Sequence, residues 1–191
     1  MGTEQRPEFY NVNMKRVVEP LETSPWLDVY KAAASLLPEP SNAVIADIGC
    51  GTGRFARLIA NKGYTNYWGF DFSDVRIREA KRYVPEFQFS VGSIFDPQIM
   101  DKLKDYNTFV LLEIVEHVSQ DEALFSIIPS GGTVIFSVPN FDSEAHVRHF
   151  ISPDEVIERY KMVIDFNIGT HVIIPRKRSG RFIYLFRGKR K

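Results

Sequence analysis

Three observations predict a doubly wound α/β fold for this 191-residue chain, a mostly parallel seven-stranded sheet with helices on both faces and a C-terminal antiparallel hairpin. Short apolar runs alternate with helical segments from about residue 43 to residue 160, the pattern of strand–helix–strand units. A glycine-rich turn joins the first of these strands to the first of these helices. The last two apolar runs have no helix of full length between them, so they pair antiparallel across a long loop.

The elements follow in order. Residues 1–23 are polar and mixed and read as an arm. Ser24-Pro25 is a helix start, with Ser24 as N-cap and Pro25 in the first turn. That helix covers Trp26–Leu37 and stops at Pro38. Ala43–Ile48 is nearly all apolar, as a strand buried on both faces requires. Gly53–Lys62 is a helix closed by Gly63. Thr65–Phe70 is the second strand, and Ser73–Tyr83 a helix capped by Ser73. Phe87–Val91 and Thr108–Leu112 are strands three and four, and 119–128 is helical. Gly131-Gly132 turns the chain into strand five, Thr133–Val138. Ser152-Pro153-Asp154-Glu155 opens a helix to about Tyr160, and Met162–Ile168 and Phe182–Phe186 form the closing hairpin.

The bulk properties exclude several classes. The length fits one domain, 1–191, with 1–23 as arm or lid, 24–187 as core and 188–191 as a basic tail. Hydrophobic residues make up 44% and charged residues 25%, ordinary globular usage that argues against disorder. No apolar run approaches a membrane span, so no membrane partner is expected. A lone cysteine, Cys50, excludes an internal disulfide framework and suits a reducing cytoplasm. Eight basic residues and no acid lie from Arg176 onward, which leaves residues 1–175 with eight more acids than bases. Such an end either binds nucleic acid or is simply solvated, and the solvated reading is preferred. No oligomeric state is indicated.

The informative stretch is Asp47-Ile48-Gly49-Cys50-Gly51-Thr52-Gly53. Glycines at alternate positions let the backbone turn tightly and let a ligand lie against it without meeting a Cβ. Eighteen residues after Gly53 the second strand ends in Asp71, an acid placed to accept hydrogen bonds from a ribose. Together they indicate a nucleoside ligand. Gly51-Thr52-Gly53-Arg54-Phe55-Ala56 also satisfies the dinucleotide pattern. Asp47 tips the balance: a carboxylate before the glycines repels a pyrophosphate and attracts the ammonium and sulfonium of S-adenosylmethionine.

That seven-residue string, with Asp71, resembles the first motif and the ribose acid of the class I S-adenosylmethionine-dependent methyltransferases, over about residues 24–170. The resemblance implies their Rossmann-like fold and S-adenosylmethionine as cofactor. It implies that Asp47 serves the methionine end, with Gly49, Cys50, Gly51, Thr52 and Gly53 beneath the cofactor. Asp71 serves the ribose, and Phe72 lies near the adenine. Where the family often has an acid after strand three, this chain offers Ser93 and Ile94, so a hydroxyl replaces a carboxylate. Asn107 opens strand four in place of the usual Asp.

The reaction side follows strand four in Glu113-Ile114-Val115-Glu116-His117. A helical turn here brings Glu113 against Glu116 and His117. His117 is the candidate base for an acceptor that must lose a proton, since its pKa lies near neutrality. Glu113 is the candidate to orient it and also a cofactor contact. A structural role, with the acids at a helix N-terminus and His117 packed on them, weighs equally. His146 and His149 are acceptor contacts or surface residues. The Glu/His string also resembles the metal set of small-RNA 2′-O-methyltransferases and the ubiquinone-pathway-type O-methyltransferases, but no metal is assigned. The arm and first helix are the expected lid, bringing Tyr10, Arg16, Trp26 or Tyr30 to the acceptor. The favoured reading is methylation of an oxygen or nitrogen of a small metabolite. The alternatives are a nucleic-acid methyltransferase and a non-catalytic module binding NAD or S-adenosylmethionine.

Overall fold

The computed structural model describes residues 2–11, 20–176 and 180–191, with backbone alone at residues 7 and 167–171. A short helix α1 (Pro7–Asn11) precedes α2 (Leu27–Ser35). The alternation runs β1 (Ile45–Ile48), α3 (Arg54–Ala60), β2 (Tyr67–Asp71), α4 (Asp74–Tyr83), β3 (Gln88–Val91), α5 (Pro97–Lys102) and β4 (Thr108–Leu111). It continues through α6 (Asp121–Ile127), β5 (Thr133–Pro139) and α7 (Pro153–Tyr160) to the hairpin β6 (Ile164–Pro175) and β7 (Phe182–Arg190). The seven strands lie in the order β3-β2-β1-β4-β5-β7-β6. The first five are parallel, and β7 runs antiparallel to both β5 and β6. The mostly parallel sheet and its antiparallel edge are as the sequence indicates.

Strand order reverses between β1 and β4. At such a point the connections leave on opposite faces and open a crevice beyond the strand carboxyl ends. Period-two alternation sorts the side chains of β1 and β2 between two apolar layers. Ile45 and Tyr67 face the layer of α2, α3 and α4, while Ala46, Ile48, Trp68 and Phe70 face the layer with Phe125, Phe136 and Tyr160. Asp47 therefore shares a face with Tyr67.

Helix starts follow from local chemistry. Ser73 Oγ accepts the Arg76 amide at 3.2 Å and caps α4 as expected. Ser152 Oγ accepts the Glu155 amide while Glu155 accepts the Ile151 amide, a reciprocal cap for α7. The expected Ser24 cap of α2 is displaced: the helix starts at Leu27, and Ser24 Oγ takes the Trp26 amide and the Arg54 guanidinium instead. Helix α5 was not expected, although Asp96 caps it by accepting the Gln98 amide and Pro97 fills its first position.

The hairpin differs most from expectation. Its strands reach Pro175 and Arg190, so the connection is short and the long loop does not exist. Residues 188–190 are not a tail but the end of β7, opposite Thr133 and Val134 of β5. Arg190 Nε donates to the Phe125 carbonyl at 2.9 Å and Lys189 Nζ to that of Gly131 at 3.1 Å. These cations are held on backbone carbonyls. Lys177 and Arg178 lie outside the described residues, as does Arg16.

Candidate active site

The crevice beyond β1 and β4 holds a cavity of about 660 Å³. Its floor is the glycine turn. Gly49, Gly51 and Gly53 have φ of 74°, 54° and 77°, a region that favours glycine. A Cβ on Gly49 would also lie 2.1 Å from Ile114 Cδ1, so a side chain there would have to displace the Ile114 side chain. Asp71 ties the turn to the end of β2, accepting the Gly51 amide at 3.1 Å and the Ser73 amide at 2.8 Å. Asp47 lies at the bottom, 3% exposed, and accepts the Tyr67 hydroxyl at 2.6 Å. Burial pushes its pKa up to about 7, with the Tyr67 bond opposing and Asp71 adding to the rise. A cation placed against it would restore the carboxylate.

The opposite wall comes from the loops after β4 and β5. Glu113 takes φ 58°, rare for a residue with a side chain, and lines the cavity. Ser137 locks it: the Glu113 amide donates to Ser137 Oγ, which donates to Glu113 Oε1, both at 2.8 Å. Residues 115–117 form one 3-10 turn. Glu116 is fully buried, and neither of its carboxyl oxygens has a hydrogen-bond partner among the described residues. Burial, reinforced for Glu116 by the neighbouring Glu113, raises the pKa of both acids and so favours their acid forms.

His117 is positioned by backbone, not by Glu113. Its Nδ1 lies 2.8 Å from the Ala145 carbonyl and donates there, which leaves Nε2, 3.9 Å from Glu116 Oε1, as the acceptor atom of a residue that lines the cavity. Burial lowers its pKa to about 4, so the imidazole is neutral at physiological pH and the near-neutral value expected from the sequence does not hold. His146 repeats the arrangement, with Nδ1 3.0 Å from the Phe141 carbonyl. Arg148 donates to the carbonyls of Val115, Val118 and Ser119, and so braces the turn that carries His117. One ligand atom each from Glu116, His117 and His146 falls within 4.8 Å of the others, a donor set able to hold a divalent ion.

The arm closes the top. The Gly2 amide donates to the His146 carbonyl, Glu4 accepts the Ser119 amide, and Ser73 donates to Asn11. Tyr10 is thereby held between Phe72 and His117, its ring 5.4 and 6.0 Å from theirs. Trp26 and Tyr30 line the same cavity, so three of the four expected lid residues reach it.

Of the expected cofactor contacts, Asp47, Gly49, Cys50, Gly51, Thr52 and Glu113 line the cavity. Gly53 sits beneath it at the start of α3, its Cβ position 3.3 Å from Ala80. Asp71 and Phe72 border it through Gly51 and Tyr10. Ser93 does not line it: its exposed hydroxyl accepts the Phe95 amide, and Ile94 is packed in the core. His149 also does not line it. The sequence reading missed four arginines that do, Arg54, Arg76, Arg176 and Arg181. Arg54 directly follows the glycine turn, which was a usable signal; Arg176 and Arg181 were taken for part of a basic tail.

A family model described as a methyltransferase domain matches residues 23–172. Trans-aconitate 2-methyltransferase of Variovorax paradoxus is 27% identical over 107 residues, 54% of this chain and 41% of that protein. The match thus spans about two fifths of that relative's length. Among solved structures, magnesium protoporphyrin IX methyltransferase of Synechocystis with bound S-adenosylmethionine superposes with a TM-score of 0.67 at 14% identity, covering 97% of this chain and 95% of that one. An S-adenosylmethionine-dependent methyltransferase of Archaeoglobus fulgidus gives 0.66 at 14%, covering 95% and 100%. The cyclase SpnF gives 0.69 at 11%, covering 100% and 99%. At these identities the likeness is one of fold, and the cyclase shows that this fold serves more than one reaction.

Proposed function

The chain belongs to the methyltransferase-domain family, and from that membership we propose that it moves the methyl group of S-adenosylmethionine to an oxygen or nitrogen of a small metabolite. The observation that carries the cofactor is Asp47, a buried carboxyl under a glycine turn. Its pKa, raised by burial, asks for a cation and rejects a pyrophosphate. The glycine floor leaves room for the ligand backbone-close, and Asp71, rigidly held on two amides, offers its remaining lone pairs to a ribose. The residues present fit the cofactor. When bound, it supplies a methyl group already activated on a sulfonium.

The rest is positioning, the larger part of the acceleration for an activated donor. Glu113 and Ser137 fix the wall between cofactor and acceptor. Tyr10, Trp26 and Tyr30 exclude water, and the raised pKa of about 12 that burial gives Tyr10 and Tyr30 keeps both phenols neutral. His117 Nε2 takes the proton of a hydroxyl acceptor. The cavity volume suits a small molecule, and the relative named for trans-aconitate supports an acceptor of that size. The small-metabolite reading is preferred to a nucleic-acid acceptor because Lys189 and Arg190, two cations of the basic end, are held by the carbonyls of Gly131 and Phe125.

Calorimetry with S-adenosylmethionine, S-adenosylhomocysteine and NAD tests the reading. The two sulfur compounds should bind at least tenfold more tightly than NAD. Tighter binding of NAD would overturn it in favour of a dinucleotide module.

A further inference from the structure

The far end of the cavity is ringed by guanidiniums stacked on aromatic rings. Arg176 lies 4.2 Å over Trp26, and Arg181 lies 4.6 Å over Phe141. The ends of β6 and β7 bring them together, the Arg176 amide donating to the Arg181 carbonyl at 2.8 Å. A guanidinium stacked through its face keeps its N–H edge free, and that edge matches the two oxygens of a carboxylate. Arg176 uses one nitrogen on the Pro25 carbonyl, and neither arginine pairs with a carboxylate among the described residues.

The charge balance points the same way. Among the described residues, four arginines line the cavity against two carboxyls, Asp47 and Glu113. Asp47 faces the cofactor's cationic end, and Glu113 is held by Ser137. The cofactor itself adds net positive charge when bound. Charges confined in a cleft of low dielectric act strongly on what enters. A cationic acceptor is repelled, and an anionic one is drawn in.

We propose that the acceptor is a small carboxylate whose anionic group seats between Arg176 and Arg181. The proposal rests on the methyl-transfer reading and names its substrate class. A planar guanidinium edge meets the two coplanar oxygens of a carboxylate, and phosphate is the competing anion that the experiment distinguishes.

Calorimetry on the full chain saturated with S-adenosylhomocysteine tests it, with benzoate, succinate and citrate as probes, benzamide and succinamide as neutral counterparts, and inorganic phosphate as the competing anion. At least one carboxylate should bind, with its amide at least tenfold weaker. Arg176→Gln and Arg181→Gln should each weaken that carboxylate about tenfold or more, the usual loss for a hydrogen bond to a charged group. Affinity for S-adenosylhomocysteine and melting temperature, measured on the same variants, should stay near the parent's and so show an intact fold. Carboxylates binding no better than their amides, phosphate binding best, or a double variant that binds carboxylate like the parent would each overturn the proposal. A parent that fails to bind S-adenosylhomocysteine would instead bring down the methyl-transfer reading, and the acceptor class with it.

Discussion

His117 shows how much one environment changes a residue's chemistry. An exposed histidine titrates near 6.5, but this one is enclosed beside His146 and Arg76 and falls to about 4. It is available as a base at any physiological pH, yet it is a weaker base than the sequence implied. Brønsted behaviour then puts its contribution at the lower end of the usual range for a positioned base. His117→Ala should lower turnover of a hydroxyl acceptor by about two orders of magnitude, with little change in cofactor affinity. In the parent, the limb that belongs to His117 should appear below about pH 5, because only there does the imidazole take up the proton that blocks it. A structural histidine predicts lost stability with near-normal turnover in whatever stays folded. An ion held by Glu116, His117 and His146 predicts inactivation by chelator and recovery with a divalent metal. Turnover, melting temperature and chelator sensitivity of this variant and its parent separate the three outcomes.

At the scale of elements, the sequence was most legible where local chemistry and burial agree. The continuous apolar run of β1, the glycine turn and the Ser73 and Ser152 caps all appear where their residue types require. It was least legible where tertiary partners claim a side chain. Ser24 looks like a cap but bonds the Trp26 amide and Arg54, which lies thirty residues away. Helix α5 has only six residues, too few for a helical period to show. Strand β7 was cut short because Lys and Arg read as solvated, whereas Arg190 bonds the Phe125 carbonyl and accepts the Gly131 amide. The same misreading hid the acceptor-side arginines, which the hairpin brings to the cavity from far along the chain. Residues 188–190 of the expected basic tail therefore carry part of the fold. Deleting them removes the Gly131–Arg190 and Arg190–Gly132 backbone bonds and the Arg190–Phe125 bond. At about 1 kcal/mol each, less what water restores, the loss is about 2 to 3 kcal/mol. A truncated chain should melt about 4–12 °C lower, and an unchanged melting temperature would return these residues to a tail.

For the whole molecule, the candidate site is a set of buried acids that the free protein holds at a disadvantage. Burial raises the pKa of Asp47, Asp71, Glu113 and Glu116 above that of the unfolded chain. Where a folded carboxyl binds more protons than the unfolded one, stability falls as pH rises, from about the unfolded pKa near 4 up to the folded value. For Asp47 that window closes at about 7. His117 and His146 act in the opposite sense, since burial keeps them neutral while the unfolded chain would protonate them below about 6.5. The free protein alone therefore mixes two trends, and the difference between free and cofactor-bound protein isolates the acid that meets the cofactor. A cation against Asp47 pulls its pKa back down, so binding expels a proton below about pH 7 and strengthens as pH rises to that point. The gain in melting temperature from S-adenosylhomocysteine at a fixed concentration should be smaller at pH 5.5 than at pH 8. At one hundred times the dissociation constant the bound ligand contributes about 2.7 kcal/mol, which is about 5–10 °C for a chain of this size. Asp47→Asn, neutral at every pH, should show a small gain that does not vary with pH. Equal gains in the parent at pH 5.5 and 8, or a pH-dependent gain surviving in Asp47→Asn, would mean that Asp47 is not the group that receives the cofactor's cation.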